Sequence, residues 1–264
     1  CSSLQTIDLF STVFKLMTEA IHPVLLHSCC APCSSAILEW LTQNGYAPTV
    51  FYFNPNIFPA QEYLTRKNEC QQYCRKLGIP FVDGDYDHAL WREAVKGLEH
   101  EPERGLRCRA CFGVRMLATA KCAQRLGIEL FTTTLAGSRW KRLDQIREAA
   151  EEAARLTPGT RYWDMNWRKG GLQQRRGELL AQEGFYNQLW CGCEFSMGHL
   201  TMRAPEDLPS YVRDFVKQLG SASVALARTV ADCSAQPSER LEKTTLWKER
   251  SQSVVHKRHR PKTA

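Results

Sequence analysis

Three groups of cysteines stand out in this 264-residue chain: Cys29, Cys30 and Cys33 in "HSCCAPC", Cys108 and Cys111 in "RCRACF", and Cys191 and Cys193 in "WCGCEFS". A CxxC turn aims two sulfurs at one point, and a helix N-terminus after it lowers thiol pKa. A second thiol pair at a strand end, from another part of the chain, is compatible with a four-sulfur site. Zinc and a [4Fe–4S] cluster both accept four thiolates. Neighbouring side chains on an extended segment diverge, so adjacent Cys29 and Cys30 suit two irons of a cube better than one tetrahedral ion. The spacing therefore favours the cluster over zinc.

Cys191 and Cys193 are separated only by Gly192, whose backbone freedom lets the two sulfurs meet. A disulfide ring that small is strained and readily reduced, which points to a redox-active dithiol. The plainer alternative is a pair of unpaired thiols in a turn. Cys33 is a fifth thiol: a ligand for a second metal ion, or a free thiol at a helix N-terminus. Cys70 and Cys74, four apart on one helix, read as small core residues. Cys122 and Cys233 read the same way, His27 reads as a hydrogen-bonded core histidine, and Cys1 is given no role.

These residues need a scaffold. The apolar run at 24–30 predicts a strand, followed by a serine-capped helix that stops at Gly45. A strand at 49–56, a helix at 60–78 and a third strand beginning near 79 come next. A helix over 86–98, another over 111–127 and a strand at 128–135 follow. The Ala/Glu-rich segment 143–156 predicts a helix, 162–167 reads as strand-like, and 173–184 is helical. Strands alternating with helices predict an α/β fold, a parallel sheet flanked by helices, with working residues at the carboxyl ends of the strands. Cys29 and Cys30 fall at such an end.

The domain reading is a catalytic α/β unit over 1–200, opening with an amphipathic helix around Leu9, Phe10, Val13, Phe14 and Met17. A C-terminal extension with one helix over 210–220 occupies 201–236. A basic, disordered tail occupies 237–264, where eight Lys/Arg stand against three Glu. With a net charge of +7 overall, the remaining chain carries only +2. The tail either assists with RNA phosphates or merely solubilises. At 43% hydrophobic residues the chain supports one sizeable core. No run of about 18 apolar residues exists, so no membrane span is expected. The opening residues lack the pattern of a secretory signal, so a cytoplasmic location is expected. Clustered cysteines in that setting point to metal binding or redox catalysis rather than disulfide staples.

Two further stretches join tryptophan to cations: "SRWKR", with Arg139, Trp140 and Lys141, and "NWRKGG", with Trp167, Arg168 and Lys169. Indole faces stack on unpaired bases while cations hold phosphates, as an RNA loop requires. The alternative is surface cations beside core tryptophans.

Taken together, "HSCCAPCSSA", "FYFNPNI", "EYLTRK", "KLGIPFVDGDYD", "GLEHEPERGLRCRACF", "SRWK", "NWRKGG" and "FYNQLWCGCEFS" resemble the QueH-type epoxyqueuosine reductases, in consistent order from about residue 23 to 197. The resemblance implies an adenine-nucleotide alpha-hydrolase-like fold and the last step of queuosine synthesis, removal of the epoxide oxygen at the tRNA wobble position. It implies a [4Fe–4S] cluster on Cys29, Cys30, Cys108 and Cys111, and a redox-active disulfide between Cys191 and Cys193. A second, mononuclear iron is also implied, with Cys33 as a candidate ligand. The partners are tRNA carrying epoxyqueuosine and an unidentified electron donor. The rival readings are a sulfonucleotide reductase-like iron–sulfur enzyme and a zinc-binding RNA module. The first needs a glycine-rich phosphate loop after the first strand, where "HSCCAPCSS" has no glycine.

Overall fold

In the computed structural model the described residues are 22–213 and 216. The expected helix near the start, Cys1, Cys233 and the basic tail lie outside them. Five strands form one parallel sheet in the order β3-β2-β1-β4-β5: β1 (His22–Ser28), β2 (Tyr46–Tyr52), β3 (Phe81–Asp83), β4 (Leu130–Thr133) and β5 (Arg161–Tyr162). The α/β expectation holds. No helix among the described residues is long and apolar enough to cross a membrane.

The period-2 alternation of the strands sorts the core into two layers. Val24, Leu26, Val50 and Tyr52 face α1 (Ala31–Gln43), α2 (Ala60–Lys76) and α6 (Leu172–Glu183). Leu25, Phe51 and Phe131 face α3 (His88–Ala94), α4 (Leu106–Leu126) and α5 (Leu143–Arg155). Strands buried on both faces read as continuous apolar runs, which is why "VLL" and "VFYF" were legible.

Helix boundaries differ from expectation where the backbone found a better start. α1 begins at Ala31 rather than at the serines, because Pro32 suits a first helical turn. Ser34 Oγ then bonds the Cys30 carbonyl at 2.9 Å and caps no amide. α4 begins five residues before 111, so Cys108 and Cys111 lie within its opening turns rather than ahead of it. It ends as predicted at Gly127, left-handed at φ 66°, with the Ile128 amide on the Ala123 carbonyl. The strand-like 162–167 is strand only to Tyr162. Beyond it the chain turns, with Met165 N on Trp163 O at 2.8 Å, and packs Trp163 and Trp167 against Trp40. Burying two indoles outweighs extending an edge strand.

Between 194 and 207 the chain forms three short 3-10 turns, and residues 210–213 and 216 are helical, within the stretch where a helix over 210–220 is expected. Trp190, Met197, Leu200, Leu208, Val212 and Val216 make a separate small apolar cluster, with Phe58 against it.

Candidate active site

β1 sits mid-sheet, and the strand order reverses between β1 and β4, so their carboxyl ends border the crevice where such sheets bind ligands. The link from β1 to α1 is only Cys29 and Cys30. A phosphate-binding loop has no room there, which removes the sulfonucleotide-type reading. Thr134, just past β4, receives the Cys29 amide on Oγ1 at 3.2 Å and donates to the Cys29 sulfur at 3.4 Å.

The sulfurs of Cys29, Cys30 and Cys33 all lie within 4.8 Å of one another. Cys29 and Cys30, 3.8 Å apart, converge rather than diverge, because the chain is turning from strand into helix and Cys30 is the N-cap of α1. The divergence argument for a cube over zinc therefore falls. Hydrogen bonds from Cys30 and Cys33, with help from Thr134 and Arg115, hold the Cys29 thiol well below its usual value against the effect of burial. Burial and Cys29 push Cys30 up, and Cys29 pushes Cys33 up to about 11. Gln188 Nε2 approaches Cys33 Sγ at 3.7 Å.

Behind this trio, His27 is a core histidine as expected. Its ring nitrogens meet Thr133 Oγ1 at 2.8 Å and the Phe53 carbonyl at 3.1 Å, and burial drives its pKa down to about 3. Cys70 and Cys74 are buried, with Cys70 Sγ 3.3 Å from Ser28 Oγ, in keeping with their core reading.

Cys108 and Cys111 enter from α4. The expected lowering of thiol pKa by the helix end does not occur at Cys108. Burial dominates there, with the Cys191 charge beside it, and drives the thiol up to about 11. Cys111 and Cys193 share one apolar cluster, with Cys108 and Cys191 packed on it. Lys141 joins the groups electrically: burial lowers its pKa, but the charges of Cys191, Cys108 and Cys29 raise it beyond its usual value. Thiols from all three motifs thus act electrostatically on one ammonium.

The Cys191–Cys193 segment is pinned from two sides. Phe58 N donates to Gly192 O at 2.8 Å, and Ile57 bridges Cys193. Arg66, buried against Glu62, donates to the Trp190 and Cys191 carbonyls at 3.1 and 3.4 Å. Gly192 is left-handed at φ 105°, and a Cβ there would stand 2.8 Å from Ile57 Cγ1. Cys191 Sγ lies 3.0 Å from Ser196 Oγ. The Cys193 thiol, Lys141 and Ser196 hold Cys191 well below its usual value, while Cys193 is pushed up. The opposite shifts make Cys191 the more readily ionised thiol of the pair.

The cleft lined by Cys29, Cys33 and Cys191 encloses about 1140 Å³. Its lining holds Arg115, Arg139, Lys141, Arg168, Arg176 and Arg203 against the single carboxylate of Glu103. Trp140 is 65% exposed with the Arg139 guanidinium 5.1 Å from its ring centre. Trp167 is 0% exposed, its indole N–H on Thr132 Oγ1 at 3.1 Å, so the expectation of an RNA-facing Trp167 gives way to a core residue. Arg168 Nη2 clamps the Ser138 and Lys141 carbonyls at 2.5 and 2.6 Å, holding the Arg139–Lys141 loop. Lys169 is exposed and does not line the cleft.

A family model described as "Epoxyqueuosine reductase QueH" matches residues 24–199, which span the sheet and every thiol above. The chain belongs to the QueH epoxyqueuosine reductase family. It is thus an enzyme of an oxidoreductase family. Relatives named epoxyqueuosine reductase QueH include the protein of Histophilus somni, 47% identical over 174 residues, covering 66% of this chain and 72% of that one. The Haemophilus influenzae protein is 46% identical, covering 69% and 74%, and that of Acinetobacter baylyi 45%, covering 66% and 80%.

Around the thiols stand residues the sequence reading passed over. Arg115 follows Cys111 by four places, a spacing that puts both on one helix face and could have flagged it. Thr134, Arg66 and Ser196 carry no local signal, since tertiary contact alone brings them to the thiols.

Proposed function

We propose that this chain reduces epoxyqueuosine to queuosine at the wobble position of tRNA, in the cytoplasm. Membership of the QueH family, with Cys29, Cys33 and Cys191 lining one cationic cleft, carries the reading. Cys29, Cys30, Cys108 and Cys111 hold a [4Fe–4S] cluster in this reading. The donor chemistry fits: Cys29 and Cys30 after β1 and Cys108 and Cys111 in the opening turns of α4 offer sulfur only, and the buried Arg115 guanidinium has no carboxylate partner among the described residues. When bound, the cluster supplies single electrons and a Lewis-acidic site for oxygen.

Converting the epoxide to an alkene consumes two electrons and two protons and releases the oxygen as water. Cys191 and Cys193 together give up two electrons and two protons as they close to a disulfide, and an external donor reopens it. Arg66 and Gly192 hold the CxC segment with Cys191 on the cleft, whose lining also carries Lys141, held protonated by the thiol charges. Trp140 stacks on an unpaired base while Arg139 holds phosphate. The test is Cys193→Ser: a single turnover survives with a strong chemical reductant, while multiple turnover is lost. Full multiple turnover would remove the dithiol from the scheme.

A second reading concerns the trio itself. Cys33, whose sulfur lies within 4.8 Å of those of Cys29 and Cys30, is the candidate ligand of the mononuclear iron beside the cluster that the family resemblance implies. Iron above four per chain that falls by one in Cys33→Ser supports it, and an unchanged ratio removes it.

A further inference from the structure

One buried charge at the site has no role in the chemistry above. Arg115 follows Cys108 by seven residues and Cys111 by four, so the three share a face of α4. It is 3% exposed, its Nε has no hydrogen-bond partner, and among the described residues no carboxylate lies within ion-pair distance of it. Arg115 Nη2 donates to Asn54 Oδ1 at 2.5 Å, and Asn54 Nδ2 donates to the Ser28 carbonyl at 2.8 Å. This bridge fixes the guanidinium against the strand end that carries Cys29. Arg115 and Cys29 also line the same cleft.

Burying a cation without an anion is costly, so the site is built for negative charge. A [4Fe–4S]2+ core with four thiolates is a dianion, and taking up one electron makes it a trianion. A fixed cation in a low dielectric stabilises the trianion more. We propose that Arg115 is the built-in counter-charge of this centre and raises its reduction potential, favouring uptake of each electron delivered to the epoxide. The inference rests on the cluster reading above.

The experiment is a dithionite titration of anaerobically reconstituted protein, followed by electron paramagnetic resonance, on wild type, Arg115→Gln, Arg115→Lys and Asn54→Asp. Arg115→Gln is expected to shift the equilibrium about tenfold toward the oxidised form, about 59 mV for one electron. Asn54→Asp, which sets a carboxylate against the guanidinium, shifts it the same way, and Arg115→Lys stays near wild type. A potential unmoved in a Gln or Asp variant with full iron and sulfide overturns the proposal. Cluster loss in the Gln variant alone supports a charge requirement, whereas loss in the Lys variant as well marks a purely structural residue and overturns it. A wild-type protein that takes up no iron and sulfide overturns the cluster reading, and this inference with it.

Discussion

Glu62 and Arg66 are fully buried, one turn apart on α2, and their pairing decides where the CxC thiols stand. Glu62 also receives the hydroxyls of Tyr186 and Tyr211 at 3.0 and 2.7 Å, so each lone-pair direction has a donor. Glu62→Gln leaves a buried cation unpaired and should cost about 3–5 kcal/mol in denaturant unfolding. Glu194 offers a pH test nearby. Burial opposes its charge, but His88 and Arg92 hold the carboxyl below its ordinary 4.5. A carboxylate depressed on folding binds fewer protons folded than unfolded, so its contribution is present above about pH 4.5 and is lost as pH falls through the folded value. Glu194→Gln should flatten that part of the acid dependence of unfolding midpoints. At this scale the sequence displayed the cysteine groups and hid their surroundings. An i,i+4 Glu–Arg pair reads as a solvated face, and only the chain's return at 186–211 buries it.

Among elements, the positions of β1, β2 and α4 followed from apolar runs and a glycine stop, because local pattern and tertiary burial agree there. The starts of α1 and α4 did not. Pro32 moved one start upstream and placed Cys33 inside the first helical turn, which turns its sulfur toward Cys29 and Cys30. The 162–167 segment was misread because its alternating aromatics serve a packing site on Trp40 rather than a ladder. The CxC segment is the element most exposed to a small change. Gly192→Ala brings a Cβ within 2.8 Å of Ile57 and forces a non-glycine residue to positive φ. The expected outcome is more than about 1 kcal/mol of lost stability and a larger proportional loss of turnover, read by comparing unfolding curves with product formation.

For the whole molecule, thiols from two separated stretches, Cys29 and Cys33 after β1 and Cys191 near the end of the described residues, line one cleft with a cationic rim. The rim's charge was legible in "SRWKR", but the role of "NWRKGG" was not. Trp167 went to the core and Arg168 to holding a loop, because an indole gains more from burial than from solvent. Trp140→Ala should therefore leave the unfolding midpoint unchanged and weaken tRNA binding by about 1–3 kcal/mol, measured at fixed salt. Arg139→Ala should weaken binding and reduce its salt slope by about 1. The central claim, reduction of an epoxide on tRNA, is tested most directly by mass. Reconstituted protein with dithionite and epoxyqueuosine-containing tRNA is digested to nucleosides and the modified nucleoside is weighed. Loss of one oxygen mass, abolished by Cys108→Ser, is the predicted result. An unchanged epoxyqueuosine mass with a fully loaded, folded protein would contradict the account.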